Sequence, residues 1–259
     1  MSLPALRERL KSGVPLVATF SIIPSVEVVE LIGLAGFDAV ILDIEHGAHG
    51  SEALGPLILA ARARGLYPLV RVRSSEPTEI AAALDAGAAG VIVPQIGSLA
   101  EAEKAVRAAR FAPDGNRGAN PFVRAADYSG RLEWFAEANR DVAVLLMIEG
   151  QGGLADAEHI VKLPHLDGIF IGPMDLSHAL GVPGEMAHPE VVSAIRLVIA
   201  ACKAEGITAG IFAGTPEAAK RWFGEGVSLA GVGVDTGHLL AALRGVVAAT
   251  KAGQGGPLP

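Results

Sequence analysis

A cluster of ionisable residues follows an apolar run in the segment "ILDIEHGAHG", residues 41–50. The cluster contains Asp43, Glu45, His46 and His49. A carboxylate bound to one nitrogen of a histidine ring fixes its tautomer and leaves the other nitrogen as a base near neutral pH. We therefore interpret Asp43 and His46 as a proton-transfer dyad. A zinc site on His46 and His49 is disfavoured, because no third His or Cys lies at a suitable spacing.

Two further carboxylates are candidate metal ligands. Glu149 ends one apolar run, and Asp175 follows the next run within the segment "GPMD". Two protein carboxylates, with water and substrate in the other positions, commonly hold Mg²⁺, and Mn²⁺ or Co²⁺ accepts the same oxygen ligands. The alternative is that both acids cap loops, with Asp175 as the N-cap of a helix starting at "LSHAL". The spacing of the two residues leaves both interpretations open.

The basic residues separate two kinds of carbonyl chemistry. All six lysines fall on predicted helices or their flanks, whereas a Schiff-base mechanism needs a desolvated lysine beside the substrate. Imine chemistry is therefore disfavoured. Arg71 and Arg73 lie at the end of the third apolar run. We take Arg71 as the residue that contacts an anion or an enolate, and we assign Arg73 to the helix layer or to solvent.

Short apolar runs alternate with longer helical patterns along the chain. The runs cover residues 16–20, 39–45, 67–72, 90–94, 142–149, 168–172, 208–213 and 229–235. Most are apolar throughout, as in parallel strands that are covered on both faces. Helical patterns cover residues 25–36, 52–65, 77–87, 99–110, 190–206, 216–226 and 237–250. Strand-plus-helix units repeated along about 250 residues predict a (β/α)8 TIM barrel rather than a doubly wound sheet.

The active site of such a barrel forms at the carboxyl ends of its strands. Polar residues end five successive predicted strands, namely Glu45 with His46, Arg71, Gln95, Glu149 and Asp175. Solvated loop starts would explain any one of them, but the whole set indicates a site. The segment 111–140 is long for a connection in this fold, so we expect a functional loop that carries some helix.

Composition narrows the remaining possibilities. The formal net charge is −7 with no block of like charges, which argues against a nucleic-acid partner. The single cysteine, Cys202, excludes an intramolecular disulfide and a cysteine-based zinc cluster. No signal peptide and no apolar run approaching the roughly 20 residues of a membrane span are found. We expect one barrel domain over residues 1–250, a flexible tail over 251–259 and a cytoplasmic location.

Six segments, in this order, carry a resemblance to a known family. They are "GFDAVILDIEHG", "PLVRV", "LDAGAAGVIVPQI", "ARFAPDGNRG", "IEG" and "DGIFIGPMDLS". The chain resembles the HpcH/HpaI aldolases, metal-dependent enzymes of the phosphoenolpyruvate/pyruvate barrel superfamily, over nearly its whole length. The resemblance implies that Glu149 and Asp175 bind a divalent metal ion, Mg²⁺, Mn²⁺ or Co²⁺. It also implies that Arg71 stabilises an enolate oxygen and that His46 transfers protons with Asp43 as its partner.

The same resemblance implies an assembly and a substrate-binding surface. Asp85 matches an aspartate that reaches a neighbouring subunit's site, in hexamers built as trimers of dimers that exchange a C-terminal helix. The substrate-binding residues expected beside Arg71 are Gln95, Gly172, Pro173, Met174 and Asp175. The chain departs from the family at "GAHG" after His46, at Met147 and at residues 119–130. These departures leave the donor open between pyruvate and hydroxypyruvate, and they leave the aldehyde undefined.

The expected activity is a class II aldolase reaction that cleaves 4-hydroxy-2-oxo acids reversibly through an enolate. Two alternatives remain at this stage. One is another enolate-forming enzyme, such as an acyl-CoA ester lyase or a decarboxylase. The other is a non-catalytic barrel that binds a 2-oxo acid, although sensing a ligand needs no proton-transfer group.

Overall fold

Parallel strands pair in chain order, and the last strand pairs with the first, so the sheet closes into a barrel. The computed structural model describes residues 3–48 and 50–252. Within these residues the strands are β1 (Leu16–Ser21), β2 (Ala39–Asp43), β3 (Tyr67–Arg71), β4 (Gly90–Val93), β5 (Ala143–Ile148), β6 (Gly168–Ile171), β7 (Thr208–Ala213) and β8 (Leu229–Val234). Each predicted apolar run contains one strand, which confirms the (β/α)8 prediction.

Helices connect the strands on the outside of the barrel. In the described ranges they are α1 (Leu6–Lys11), α2 (Val26–Leu34), α3 (Leu54–Ala63), α4 (Pro77–Asp85), α5 (Leu99–Ala108), α6 (Trp134–Asp141), α7 (Gln151–Ala155), α8 (Ala157–Ile160), α9 (Pro173–Ala179), α10 (Pro189–Glu205), α11 (Pro216–Gly224) and α12 (Asp235–Lys251). The predicted helices are confirmed, and α6 supplies the helix expected within residues 111–140. The tail expected from residue 251 lies mostly outside the described residues.

Local sequence explains where several helices begin and end. Ser25 and Ser98 are N-caps whose hydroxyls accept backbone N–H bonds from Val28 and Glu101. Gly206 follows α10 with a φ of 66°, the left-handed conformation that ends helices at glycine. These signals place the helix ends so that each following strand starts at the same end of the barrel.

The barrel interior is packed rather than open. Phe20 contacts Phe170 and Phe212 edge-on, with ring centroids 5.9 Å and 5.6 Å apart. Gly231 makes room for this cluster, because a Cβ there would lie 2.7 Å from the Phe20 ring. The filled interior leaves the carboxyl ends of the strands as the place where a small molecule can bind.

The amino-terminal end of the barrel is closed by a buried ion-pair network. Arg110 is fully buried and donates to the Asp167 carboxylate at 2.6 Å and to the Val142 carbonyl at 2.7 Å. The second Asp167 oxygen accepts from Arg7 of α1. Asp167 directly precedes β6 and Arg110 follows α5, so this one carboxylate ties α1 and the end of α5 to the start of β6, which indicates a structural role for this end of the barrel.

The C-terminal helix α12 has an unusual exposure pattern. Its apolar residues Leu239, Leu243 and Val246 are 52%, 55% and 65% exposed. Apolar side chains at this spacing form a stripe along one face of a helix. In globular proteins such a stripe is typically buried against another element or another molecule. Among the described residues, no helix is both long and apolar enough to cross a membrane.

Candidate active site

The register between β2 and β3 determines the first contact of the site. Asp43 and Arg71 are the last residues of their strands and lie directly opposite each other. The buried Asp43 carboxylate accepts from Arg71 Nε at 2.9 Å and from Nη2 at 2.6 Å. This two-point, charge-assisted bond fixes the plane of the guanidinium group.

The Arg71 guanidinium has two further neighbours. Its Nη1 lies 3.2 Å from Oε2 of Glu45, and its Cζ lies 4.9 Å from the centre of the Phe20 ring. Burial acts to lower the Arg71 pKa, but the hydrogen bond and charge of Asp43, with the charge of Glu45, raise it overall. The contacts with Asp43 and Glu45 leave some of the five guanidinium N–H groups available, so Arg71 can still bind an anion.

The expected Asp43–His46 side-chain dyad is not the contact that the structure has. Asp43 Oδ1 accepts the backbone N–H groups of Glu45 and His46, while both carboxylate oxygens bind Arg71. The chain therefore turns over the Asp43 carboxylate. The Nε2 of His46 is 4.0 Å from Oε2 of Glu45, and the His46 side chain is 63% exposed. His49 lies outside the described residues.

Glu149 follows β5 and is buried at the mouth of the barrel. Its Oε1 accepts the backbone N–H of Gln95 at 2.7 Å. Burial is the main reason that the pKa of Glu149 rises to about 7, and the charges of Asp175 and Glu45 raise it further against the effects of the Gln95 bond and Arg71. The raised pKa reflects an excess of negative charge in a poorly hydrated space.

Asp175 lies in the first turn of α9, which follows β6, the strand that pairs with the β5 strand preceding Glu149. The N-cap of α9 is Gly172, so the alternative that Asp175 is an N-cap is wrong. Its carboxylate is exposed and close enough to raise the pKa of Glu149. No group of three or more candidate metal-ligating side chains occurs among the described residues. Two carboxylates that repel each other nevertheless fit a hard divalent cation that keeps water or substrate ligands.

Gly172 allows β6 to approach Glu149 closely. A Cβ on Gly172 would lie 2.5 Å from Glu149 Oε2 and 3.0 Å from Glu149 Cβ. The Glu149 carboxylate therefore occupies space that only glycine leaves free.

Replacing Gly172 with alanine should displace the Glu149 carboxylate without unfolding the barrel. We expect Gly172→Ala to weaken Mn²⁺ binding about tenfold or more, the effect seen when the support of a metal ligand is lost, as measured by isothermal titration calorimetry. Gly150→Ala is the matched control, because nothing lies within 4 Å of a Cβ at that position. Equal Mn²⁺ affinities for the two variants would contradict the assignment.

The expected substrate-binding residues occupy different environments. Gln95 is exposed, and its amide Nε2 donates to Glu45 Oε1 at 2.8 Å. Pro173 is buried as the first residue of α9, whereas Met174 is 43% exposed. Glu45 received no role from its sequence position, yet it contacts both Arg71 and Gln95. The sequence feature that could have identified Glu45 as a site residue is its position two residues after Asp43.

Asp85 is not brought to these residues within one chain. It ends α4, which returns from the carboxyl end of β3 to the amino end of β4, so it lies at the opposite end of the barrel. Its carboxylate binds the guanidinium of Arg117, which stacks 4.4 Å from the centre of the Phe111 ring. The role of Asp85 in a neighbouring subunit stays a prediction.

The lysines lie away from the carboxyl ends of the strands. Five lie within helices, at positions 11, 104, 203, 220 and 251, and Lys162 lies in the turn between α8 and β6. The charge of Arg71 is close enough to Glu149 to lower the pKa of its carboxyl group. Among the described residues, the arrangement therefore offers an anion-binding arginine and a pair of carboxylates, with no lysine at the strand ends.

Comparisons with known proteins identify the family of the chain. The family model of HpcH/HpaI aldolase/citrate lyase matches residues 18–242. A 5-keto-4-deoxy-D-glucarate aldolase of Shigella dysenteriae is 36% identical over 80% of this chain and 81% of its own length. An HpcH/HpaI aldolase/citrate lyase family protein from Burkholderia cenocepacia superposes with a TM-score of 0.90 at 36% identity, covering 95% of this chain and 98% of that one. The citrate synthase SbnG superposes with a TM-score of 0.87 at 31% identity, covering 96% and 98%.

The fold and the strand-end residues define a (β/α)8 TIM-barrel protein with carboxylates and an arginine at the carboxyl ends of its strands. The chain belongs to the HpcH/HpaI aldolase/citrate lyase family. The family resemblance inferred from the six sequence segments is thereby confirmed.

Proposed function

We propose that this protein is a class II, metal-dependent aldolase that cleaves 4-hydroxy-2-oxo acids reversibly into a 2-oxo acid and an aldehyde. The observation that carries the proposal is the mouth of the barrel, where Glu149 and Asp175 lie beside the Asp43–Arg71 pair. The similarity to 5-keto-4-deoxy-D-glucarate aldolases, which extends over most of both chains, supports the same reaction class. We place the enzyme in the cytoplasm as part of this proposal.

The chain's own residues divide the chemistry between them. Glu149 and Asp175 would hold Mg²⁺, Mn²⁺ or Co²⁺, which when bound polarises the 2-oxo carbonyl and stabilises developing negative charge. Arg71, fixed by Asp43, donates a hydrogen bond to the 2-oxo oxygen of the substrate, where the same negative charge develops. Hydrogen-bond donors that are already oriented in a water-poor site lower the activation barrier of the reaction, because they need no reorganisation as the charge develops.

Proton transfer is assigned to His46. Its ring lies at the mouth of the barrel beside Glu45, where it can reach a substrate hydroxyl directly or through one water molecule. During cleavage His46 removes the proton of the 4-hydroxyl group, and the C3–C4 bond breaks as the aldehyde leaves. The electron pair of that bond becomes the enolate, which takes up a proton at C3 to give the 2-oxo acid.

The relatives narrow the substrate class. The name 5-keto-4-deoxy-D-glucarate describes an oxidised sugar acid that carries a keto group. We propose a hydroxylated sugar-derived 2-oxo acid for this chain, with pyruvate or hydroxypyruvate as the donor product. The superposition with a citrate synthase supports the broader view that this barrel serves more than one carbon–carbon bond reaction.

Proton NMR of pyruvate and of hydroxypyruvate in D₂O tests enolate formation without knowledge of the aldehyde. We expect the C3 proton signal of one or both donors to be lost in the presence of Mg²⁺ or Mn²⁺ and retained with chelator.

His46→Ala should slow aldol cleavage by about 10²-fold or more while leaving Mn²⁺ affinity intact, and His159→Ala on α8 is the control. Unchanged cleavage in His46→Ala would refute its role. Donor binding without any exchange would favour the non-catalytic alternative.

We further propose that the protein is a homo-oligomer, a hexamer built as a trimer of dimers. The apolar stripe on α12 supports this, because Leu239, Leu243 and Val246 are more than half exposed in one chain. A partner subunit would bury these side chains, and Asp85 would then be supplied to a neighbouring site.

Disrupting the α12 stripe should reduce the mass of the assembly. We expect Leu243→Glu to give a smaller species than the unsubstituted protein in size-exclusion chromatography with light scattering, because a buried unpaired charge opposes association. Arg244→Gln, one residue further along the same helix, should retain the full mass. A monomeric unsubstituted protein would refute the proposed assembly.

A further inference from the structure

Gln95 has a backbone conformation that is unusual for its residue type. It follows β4 with a φ of 56°, in the left-handed region where residues other than glycine are disfavoured. Such conformations persist where the surrounding structure holds them, and they concentrate at functional sites. The contacts of Gln95 and of the turn that follows it explain this conformation.

The turn that contains Gln95 is held from one side by α7. A Cβ on Gly152 would lie 2.3 Å from the Gly97 carbonyl oxygen, and a Cβ on Gly153 would lie 2.3 Å from that of Ile96. The two glycines thus let the backbone of α7 pack directly on the residues that follow Gln95. The segment "EGQGG" supplies Glu149 together with this surface.

The left-handed turn lets one residue contact two acids. The backbone N–H of Gln95 donates to Glu149 Oε1 at 2.7 Å, and its side-chain amide donates to Glu45 Oε1 at 2.8 Å. The other oxygen of Glu45 lies 3.2 Å from Arg71 Nη1. A continuous set of polar contacts therefore runs from Arg71 through Glu45 and Gln95 to Glu149, across the carboxyl ends of β2, β3, β4 and β5.

We propose that Gln95 is a positioning residue for the carboxylate that binds the metal. Its amide bond to Glu45 compensates for the left-handed backbone, and this conformation keeps its N–H on Glu149. The amide is consequently committed to Glu45 rather than to the substrate, unlike the role expected from the sequence. The inference rests on the proposed function in one respect, namely that Glu149 is a metal ligand.

Comparing alanine with glycine at position 95 separates positioning from substrate contact. Gln95→Ala removes the amide and leaves a left-handed alanine, so the turn should relax and Mn²⁺ affinity should fall about tenfold or more. Gln95→Gly also removes the amide but adopts this backbone freely, so its Mn²⁺ affinity should stay close to that of the unsubstituted protein. Calorimetric titration with Mn²⁺ alone measures both. Unchanged Mn²⁺ affinity in both variants, with an equal rise in KM, would overturn the proposal in favour of substrate contact.

A second measurement tests the proposal without metal. Urea unfolding of metal-free Gln95→Ala, Glu45→Ala and the double variant should show that the double substitution costs less than the sum of the single ones. Additive effects would overturn the Gln95–Glu45 coupling. If the unsubstituted protein binds no Mn²⁺, the metal-dependent function fails, while this cycle still tests the Gln95–Glu45 contact on which the proposal depends. His165→Gly is the control, because His165 has a φ of 66° at the opposite end of the barrel and should not affect Mn²⁺ affinity.

Discussion

Glu149→Gln is expected to abolish donor proton exchange while stabilising the metal-free protein above neutral pH. Loss of one anionic ligand removes much of the charge stabilisation that a bound metal ion provides, several kcal/mol, which corresponds to about a thousandfold in rate. Glutamine keeps the size of the side chain and can still accept the Gln95 N–H bond. The loss of exchange would therefore be a loss of charge rather than of packing.

The stability effect depends on pH in a defined direction. The pKa of Glu149 is raised by burial from the ordinary 4.5 to about 7 in the folded protein. Between these values the folded protein binds more protons than the unfolded chain, so stability falls as the pH rises through this range. Above pH 7 the full penalty applies, which is at most about 3 kcal/mol for such a shift.

Urea unfolding in chelator at two pH values measures this penalty. We expect Glu149→Gln to be about 2–3 kcal/mol more stable than the unsubstituted protein at pH 8, and the difference to fall to about 1 kcal/mol near pH 5. Glu158→Gln, at an exposed position on α8, should show no comparable pH-dependent gain. A difference between Glu149→Gln and the unsubstituted protein that is the same at both pH values would contradict a buried, destabilising carboxylate.

The sequence predicted the barrel well because parallel strands buried on both faces leave a strong signal. The run at residues 16–20, for example, became β1 with one added residue, and the run at 208–213 became β7 unchanged. Helix ends were also predictable where serine or glycine marks them. The short helices α7 and α8 were not, because a few residues provide too little periodicity, and α9 begins three residues before the helix start expected at "LSHAL".

The site was predictable by residue type but not by partner. Asp43 is three positions from His46 and 28 from Arg71, so proximity in the chain favoured the histidine. The partner is instead determined by the register of β2 against β3, which a single sequence does not specify. The left-handed turn at Gln95 was hidden for a similar reason, because its support comes from glycines on α7.

The Asp43–Arg71 pair gives the second large expected effect. Asp43→Asn keeps an oxygen for the backbone N–H groups of Glu45 and His46 but removes the charge that balances Arg71. Neutralising Asp43 removes the two-point partner that offsets the desolvation of Arg71 and leaves the guanidinium with the contact to Glu45, 3.2 Å from Nη1. We therefore expect a loss of about 3 kcal/mol in the free energy of unfolding of the metal-free protein.

A double variant shows whether the loss of stability in Asp43→Asn comes from the charge of Arg71 or from general damage to the barrel. Combining Asp43→Asn with Arg71→Met removes both charges, and an apolar side chain against Phe20 should restore much of the lost stability. All three variants should lose donor proton exchange, because none keeps an oriented guanidinium. Stability losses that simply add would mean that the two charges are not coupled. Recovery of stability without activity would show that Asp43 acts through Arg71, and that the ion pair is retained for chemistry rather than for folding.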